Sequence, residues 1–351
     1  MEKLDKIRGS LLGGAVGDAL GYPIEFRSNI KDKEFTTYFA NEGLISDDTQ
    51  MTLFTANALL WRETRLHLKG IAPKPADAIY MGYLDWLQTQ IKKENKFPIS
   101  WIREVPELNS NRAPGNTCLS SLMSGTYGTL DKPINNSKGC GSVMRVAPIG
   151  LLIKDEETAG QLAAESAALT HGNPLAIISS YVCSAMINIL LNSDVSIKIA
   201  LDKAMALYHE KFNIYEKDIM AEFDDLIALT IKLAANREKD IVNIKKLGEG
   251  WVADEALAIS LYSCLRYSNS FKDCIVCAVN HDGDSDSTGA IAGNIIGTYL
   301  GVNKIPSYYL TNLEIVDVIT EIADDLNSLD YDNEEWLNKY LYNKKDSLKE
   351  M

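Results

Sequence analysis

The segment GDSDSTGAIAGNIIGTYLG, residues 283–301, decides the fold. Its first part sets Asp284 and Asp286 among Ser285, Ser287 and Thr288. Its second part spaces Gly289, Gly293, Gly297 and Gly301 four apart. Positions four apart on a helix share one face, so this stretch reads as a helix with a glycine stripe. The same spacing recurs near the start of the chain, where Gly9, Gly13, Gly17 and Gly21 run through GSLLGGAVGDALG. Each glycine costs roughly 1 kcal/mol relative to alanine in a helix interior. A whole stripe is tolerated where backbones must approach closely. Two tightly packed core helices beside the acidic residues are therefore expected.

Outward from these stripes, helical periodicity dominates. The spacing predicts helices near 5–20, 48–61, 75–92, 116–127, 157–170, 174–192, 195–210, 217–236, 251–267, 271–280, 287–301 and 312–328. Thr158 to Leu169 is alanine-rich with Leu162 and Leu169 on an apolar side, and Val252 to Leu265 repeats the pattern through Leu257, Leu261 and Leu265. No convincing strand alternation occurs, so the expected fold class is all-α with long connecting loops. The 351 residues leave room for two domains, but no Pro/Ser-rich linker, low-complexity tract or tandem repeat divides them. A single domain over 1–351 is expected, with 330–351 read as either a closing helix or a tail. Gly13-Gly14-Ala15-Val16-Gly17 has the look of a dinucleotide fingerprint, but no strand precedes it.

The composition excludes some partners. A hydrophobic content of 46% is ample for a sizeable core, and the net charge is −13. That charge argues against a nucleic-acid groove or an anionic membrane surface. An anionic small ligand would need help from metals, helix N-termini or backbone N–H groups. The six cysteines, at 118, 140, 183, 264, 274 and 277, include a lone C-x-x-C at Cys274 and Cys277 with no second pair at zinc-ligand spacing. They read as free thiols in a reducing compartment. MEKLDKIRGSLLGG lacks a sustained apolar region of the signal-peptide kind, and no apolar run approaches a membrane span. A cytoplasmic monomer is expected.

A second acidic motif, Ser46-Asp47-Asp48-Thr49, lies far from 284–286 in sequence. Taken singly, Asp-Asp-Thr is also a common helix start and Asp-Ser-Asp-Ser a plain turn with N-caps. Together they offer carboxylates and hydroxyls, the donors that suit a hard cation such as Mg²⁺ or Mn²⁺. Four converging carboxylates would repel one another and raise their own pKa values, and two divalent cations would neutralise them. Two glycine-rich loops run into helices, Arg112-Ala113-Pro114-Gly115-Asn116-Thr117 and Asn136-Ser137-Lys138-Gly139-Cys140-Gly141-Ser142. Loops of this kind expose N–H groups to anions.

The ordered set of motifs resembles the ADP-ribosylglycohydrolase family, the hydrolases that release ADP-ribose from modified proteins. The matching segments are Gly17-Asp18-Ala19-Leu20-Gly21 with Glu25 following, Ser46–Thr49, Pro114–Thr117, Gly141–Pro148, Thr170-His171-Gly172, Gly248-Glu249-Gly250-Trp251 and Gly283–Gly289. The resemblance implies a large orthogonal all-α domain whose central cleft holds two Mg²⁺ or Mn²⁺ ions. It places the metal ligands on Ser46, Asp47, Asp48, Asp284, Asp286 and Ser287, two of these positions carrying Ser where relatives often have Thr. Glu25 stands where some relatives have a mobile acidic residue. The loops with Gly115, Asn116 and Thr117, and with Ser137, Gly139, Cys140 and Gly141, are expected to cradle the diphosphate. Trp251 is read as an adenine-stacking residue or a core aromatic, and His171 as a helix cap or supporting group near the substrate. His281 precedes the second acidic motif and is placed to orient it.

The implied chemistry is hydrolysis of the glycosidic bond at the ribose C1″, with ADP-ribose and ADP-ribosylated proteins as partners. Asp47, Asp48 and Asp284 would hold and tune the centre, and Glu25 would transfer the proton. Arginine-linked ADP-ribose is the first expectation, and serine-linked or O-acetyl-ADP-ribose the second. One departure bears on this. Arg112, Ala113 and Pro114 fill the stretch where the arginine-specific branch has a carboxylate. A catalytically silent binding or structural member of the family is the alternative of another class.

Overall fold

A computed structural model describes residues 1–26, 34–93, 97–212 and 217–341. Among these residues there are sixteen α-helices and, apart from two isolated bridges, no β-structure. The chain is all-α, as its periodicity predicts. The first helices are α1 (Lys3–Gly21), α2 (Asp47–Lys69), α3 (Pro75–Ile91), α4 (Asn116–Met123) and α5 (Ala147–Leu152). The middle of the chain forms α6 (Glu156–Ala168), α7 (Pro174–Asn192), α8 (Ile197–Lys211), α9 (Lys217–Ala234) and α10 (Asp240–Leu247). The last third forms α11 (Ala253–Arg266), α12 (Phe271–Val279), α13 (Ser285–Leu300), α14 (Ser307–Asn312), α15 (Val316–Ser328) and α16 (Glu334–Tyr340).

Helix starts follow local chemistry. Ser46, Asp155, Asn173, Ser196, Ser270, Asp284 and Asn333 each accept a first-turn N–H, satisfying donors that have no partner within the helix. Helix α2 stops at Gly70, whose φ of 66° is costly for a residue with a Cβ. Helix α16 makes the start of the 330–351 stretch a closing helix. Trp336 Nε1 donates to Thr64 Oγ1 of α2 at 2.9 Å, and Tyr340 OH to Asp325 Oδ2 of α15 at 2.7 Å. Residues 342–351 lie outside the described ones.

The two glycine stripes face each other. Helices α1 and α13 run antiparallel, pairing Gly9 with Gly297, Gly13 with Gly293 and Gly17 with Gly289. A Cβ on Gly17 would stand 1.9 Å from the Gly289 carbonyl oxygen, and one on Gly293 2.0 Å from that of Gly13. No side chain fits there, so backbone packs on backbone. Asn294 Nδ2 donates to the Ser10 carbonyl at 3.0 Å, and Ser10 Oγ returns a bond to the Asn294 carbonyl at 3.1 Å. Gly301 closes the seam, since a Cβ on Gly9 would also stand 2.8 Å from its carbonyl carbon. It ends α13 with φ 78°. The antiparallel pairing brings the C-terminal end of α1 to the N-terminal end of α13.

Helix α7 corrects one expectation. It is 19 residues long and apolar enough to cross a membrane, and 94% of its most apolar window is buried inside the fold. Helices α5, α6, α8, α11 and α13 surround it. A core helix covered on every side must be apolar all round, which gives it the composition of a membrane span.

Candidate active site

Three helix ends meet where α1 finishes. Asp18, fully buried near the end of α1, accepts Ser46 N at 3.0 Å, Thr49 N at 3.1 Å and Thr49 Oγ1 at 2.5 Å. One carboxylate of α1 therefore pins the N-terminus of α2. Ser46 caps α2 and donates to Asp48 Oδ2 at 3.3 Å, and Asp47 and Asp48 fill its first turn. Asp284 caps α13, accepting Ser287 N at 3.2 Å, with Asp286 in the first turn. Both motifs thus place carboxylates at the positive ends of helix dipoles. Glu25, just beyond α1, joins them. Carboxylate oxygens of Glu25, Asp284 and Asp286 lie within 4.8 Å of one another.

This gathering is electrostatically unfavourable without a cation. Burial, then the charge of Asp286, pushes Asp47, Asp48 and Asp284 well above the usual carboxylate range. Burial also raises Asp286 itself. Asp18 rises to about 7 for the same two reasons, held back by its bonds to Thr49 and Ser46. Glu25 is pushed up to about 10 by burial and by Asp286, Asp284 and Asp47. None of the ion pairs among the described residues involves these six groups. Asp48 Oδ1 and Glu25 Oε2 are buried with no hydrogen-bond partner. Orphaned buried carboxylate oxygens in a cluster of hard donors fit a divalent cation well. Residues Ser46, Asp47, Asp48, Asp284, Asp286 and Ser287, with Glu25, are thus brought together by the fold.

The loops frame this cluster, with their N–H groups largely engaged. Gly115 N donates to Asp47 Oδ2 at 3.1 Å, so it steadies a carboxylate instead of facing an anion. Cys140 N donates to the Trp251 carbonyl at 3.2 Å, and Gly139 N to Ser137 Oγ at 3.4 Å. Asn116 and Thr117 open α4, and no hydrogen bond among the described residues takes up their N–H groups. Thr117 Oγ1 meets Ser137 Oγ at 3.1 Å, tying the two loops together. Gly139 and Gly141 pass over buried His171. A Cβ on either would lie 3.2 or 3.3 Å from the ring. Burial and Arg145 lower His171 to about 3, so it is a neutral support that bonds Thr170 Oγ1 at 2.8 Å. His281 Nε2 meets Thr288 Oγ1 at 2.9 Å, on the first turns of α13.

Trp251 is an exposed aromatic, not a core one: it is 38% exposed and stacks on Phe26 with ring centroids 5.9 Å apart and planes at 21°. Its neighbours lie against the acidic motif, since Asp284 N donates to the Glu249 carbonyl at 2.8 Å. Arg112 is held by Glu314 through two bonds, at 3.2 and 3.3 Å.

Compared with known proteins, residues 1–335 match the sequence model of the ADP-ribosylglycohydrolases. The chain belongs to the ADP-ribosylglycohydrolase family. Within it, the chain is 24% identical over 331 residues to the ADP-ribosyl-[dinitrogen reductase] glycohydrolase of Rhodospirillum rubrum, covering 89% of this chain and 91% of that one. It is also 24% identical over 340 residues to an ADP-ribosylarginine hydrolase of Serratia proteamaculans, covering 93% and 80%. A solved ADP-ribosylglycohydrolase-related protein complex shares the fold, with a TM-score of 0.59 at 22% identity over 93% of this chain and 99% of that chain. Two residues of this ADP-ribosylglycohydrolase were not singled out from sequence. Asp18 lies inside a quoted motif, but its partners are 28 and 31 positions away. Phe26 carried no signal until its ring was found on Trp251.

Proposed function

We propose that this protein hydrolyses the glycosidic bond between ADP-ribose and a protein side chain, with arginine-linked ADP-ribose as its first substrate. The observation that carries this reading is the convergence of six carboxylates, without a counter-cation, at the shared end of α1, α2 and α13. Two divalent cations, Mg²⁺ or Mn²⁺, held by Ser46, Asp47, Asp48, Asp284, Asp286 and Ser287, are part of the proposal. When bound, they supply charge neutralisation and Lewis acidity beside the distal ribose.

The remaining chemistry belongs to the chain. Glu25 stands at the edge of the cluster, half-buried, and is the group placed to move a proton during bond cleavage. Positive charge developing on the ribose ring would face carboxylates and be stabilised by them. The free N–H groups of Asn116 and Thr117 suit the diphosphate, and the Phe26–Trp251 faces suit the adenine. Binding energy from these remote groups orients the scissile bond. One domain acting as a cytoplasmic monomer completes the reading.

Arginine linkage draws support from the similarity to an ADP-ribosylarginine hydrolase. A second reading, O-linked ADP-ribose on serine or acetate, is favoured by the 112–114 stretch. It carries no carboxylate, and its Arg112 is tied to Glu314. Release of ADP-ribose from arginine- and serine-linked peptides, with Mg²⁺, Mn²⁺ or EDTA, tests both. Metal-dependent release identifies the linkage, and no release from either substrate overturns the proposal.

A further inference from the structure

One buried cation has no part in the chemistry described above. Arg145, in the turn before α5, is 0% exposed, and none of the ion pairs among the described residues includes it. Its hydrogen-bond partners are neutral. Nη2 donates to the Ser166 carbonyl at 3.1 Å and to Thr170 Oγ1 at 2.7 Å. Nη1 donates to Met51 Sδ at 3.7 Å and to Cys118 Sγ at 3.4 Å. Burial pushes the Cys118 thiol up to about 11, against the pull of Arg145, so it too is uncharged. The guanidinium lies over the Tyr83 ring, 4.2 Å from its centroid, and Nε is buried with no hydrogen-bond partner. A buried charge without an opposite charge in contact is costly. This one fits an anion that comes from outside the chain.

The surroundings of Arg145 point to the anion. Cys118, which takes the Nη1 bond, directly follows Asn116 and Thr117 and their free N–H groups. Its thiol also donates to the Gly141 carbonyl at 4.0 Å. Thr170 Oγ1, which takes the Nη2 bond, meets His171 Nδ1, and the His171 ring lies beneath Gly139 and Gly141. The guanidinium therefore backs both glycine-rich loops, with one layer of neutral side chains between. We propose that Arg145 is a positioning residue, whose buried charge draws the diphosphate of ADP-ribose onto these loops without touching it. The inference rests on reading the protein as an ADP-ribose hydrolase. Backbone N–H groups supply dipoles to the diphosphate but no net charge. In a chain of net charge −13, a local cation offsets the repulsion of the anion. Buried away from water, its field is strengthened by the low local dielectric and little screened by salt. A unit charge at that depth is worth on the order of tenfold in anion affinity.

Removing this charge should weaken anion binding without weakening cation binding, a split that a packing defect would not produce. The full chain is compared as wild type, Arg145→Met and Arg145→Lys. Calorimetry reads ADP-ribose affinity with Mg²⁺ present, and electron paramagnetic resonance reads Mn²⁺ affinity without ADP-ribose. In Arg145→Met, ADP-ribose affinity is expected to fall about tenfold or more, while Mn²⁺ affinity holds or rises. Arg145→Lys keeps the charge and should hold ADP-ribose affinity within about threefold. Unchanged ADP-ribose affinity in Arg145→Met overturns the proposal. So does a parallel loss of both ligands, or an equal loss of ADP-ribose affinity in Arg145→Lys. If Arg145→Met fails to fold by circular dichroism, nuclear magnetic resonance of wild type carrying isotope-labelled arginine decides. The Arg145 Nε signal, assigned by its loss in Arg145→Lys, should shift when ADP-ribose binds, and an unmoved signal overturns the proposal. A wild type that binds no ADP-ribose removes the hydrolase reading as well, whereas binding that Arg145→Met shares removes only the role of Arg145.

Discussion

Replacing Gly17 by alanine should weaken both the fold and the site. In an ordinary exposed helix the change would stabilise by about 1 kcal/mol. Here the new Cβ would lie 1.9 Å from the Gly289 carbonyl oxygen. That is roughly 1.4 Å short of the closest usual C···O approach of about 3.3 Å. The obstructing atom is backbone, so no rotamer change relieves it. Helices α1 and α13 must separate locally by about that distance, and overpacking of this kind costs about 1–3 kcal/mol or more. A clash with backbone puts the cost at the upper end, about 3 kcal/mol, so net of the gain of about 1 kcal/mol a loss of about 2 kcal/mol is expected, which lowers the melting temperature by several degrees. The gap opens one residue from Asp18 and two or three from Ser287 and Asp286. A misplacement of about 1 Å costs on the order of 10²-fold in rate. Gly9→Ala is the matched control. Its Cβ would lie 2.3 Å from the Gly297 carbonyl oxygen, about 12 Å farther along α1. It should destabilise comparably yet leave activity per folded molecule near wild type. Thermal unfolding and ADP-ribose release measure the two effects. Wild-type stability in Gly17→Ala would refute the backbone-contact argument, and equal activity losses in both variants would refute the link from seam to site.

Asp48→Asn should stabilise the chelated protein by removing one buried like charge, and should abolish turnover. Wild type, not the variant, should gain about 2.7 kcal/mol from Mn²⁺ at a hundredfold excess over its dissociation constant, read as a shift in unfolding midpoint. His171 gives a pH signature. Its folded pKa of about 3 lies below the unfolded value near 6.5, so its contribution is complete above 6.5 and is lost as pH falls towards 3. His171→Gln should flatten the acid limb of urea unfolding, which this one group steepens by at most about 1.4 kcal/mol per pH unit. Trp251→Ala should weaken ADP-ribose binding by about 1–3 kcal/mol, the value of one base–aromatic stack. Calorimetry showing unchanged affinity would remove Trp251 from the adenine site.

The seam was legible because its glycines are periodic, and a helix with no Cβ on one face has few structural uses. Helices α5, α10 and α14 were not. At six to eight residues they are too short to show a period. The acidic motifs were legible as donors, since adjacent carboxylates and hydroxyls state their own chemistry. What they touch was not. The contact of Cys140 with Asp284 spans 144 positions, and local pattern carries no information on pairings of that range. The two glycine-rich loops show the same limit in reverse. Glycine spacing announces exposed N–H groups, but whether Asp47 takes the Gly115 proton depends on where α2 ends up.

The pairing of α1 with α13 also sets a timetable. Gly9 meets Gly297, so the partner surface of α1 is made only after nearly 290 further residues. At roughly 5–20 residues per second, a ribosome needs on the order of 15–60 s to cover that distance. Throughout that interval the nascent α1 carries a bare glycine face, and two of the six clustered carboxylates, Asp284 and Asp286, have not been synthesised. A stalled or truncated chain therefore cannot assemble the acidic centre, however well its first helices form. Loop closure over nearly the whole length is slow for the same reason. The acidic centre is thus completed in one step, when α13 has been made and packs on α1.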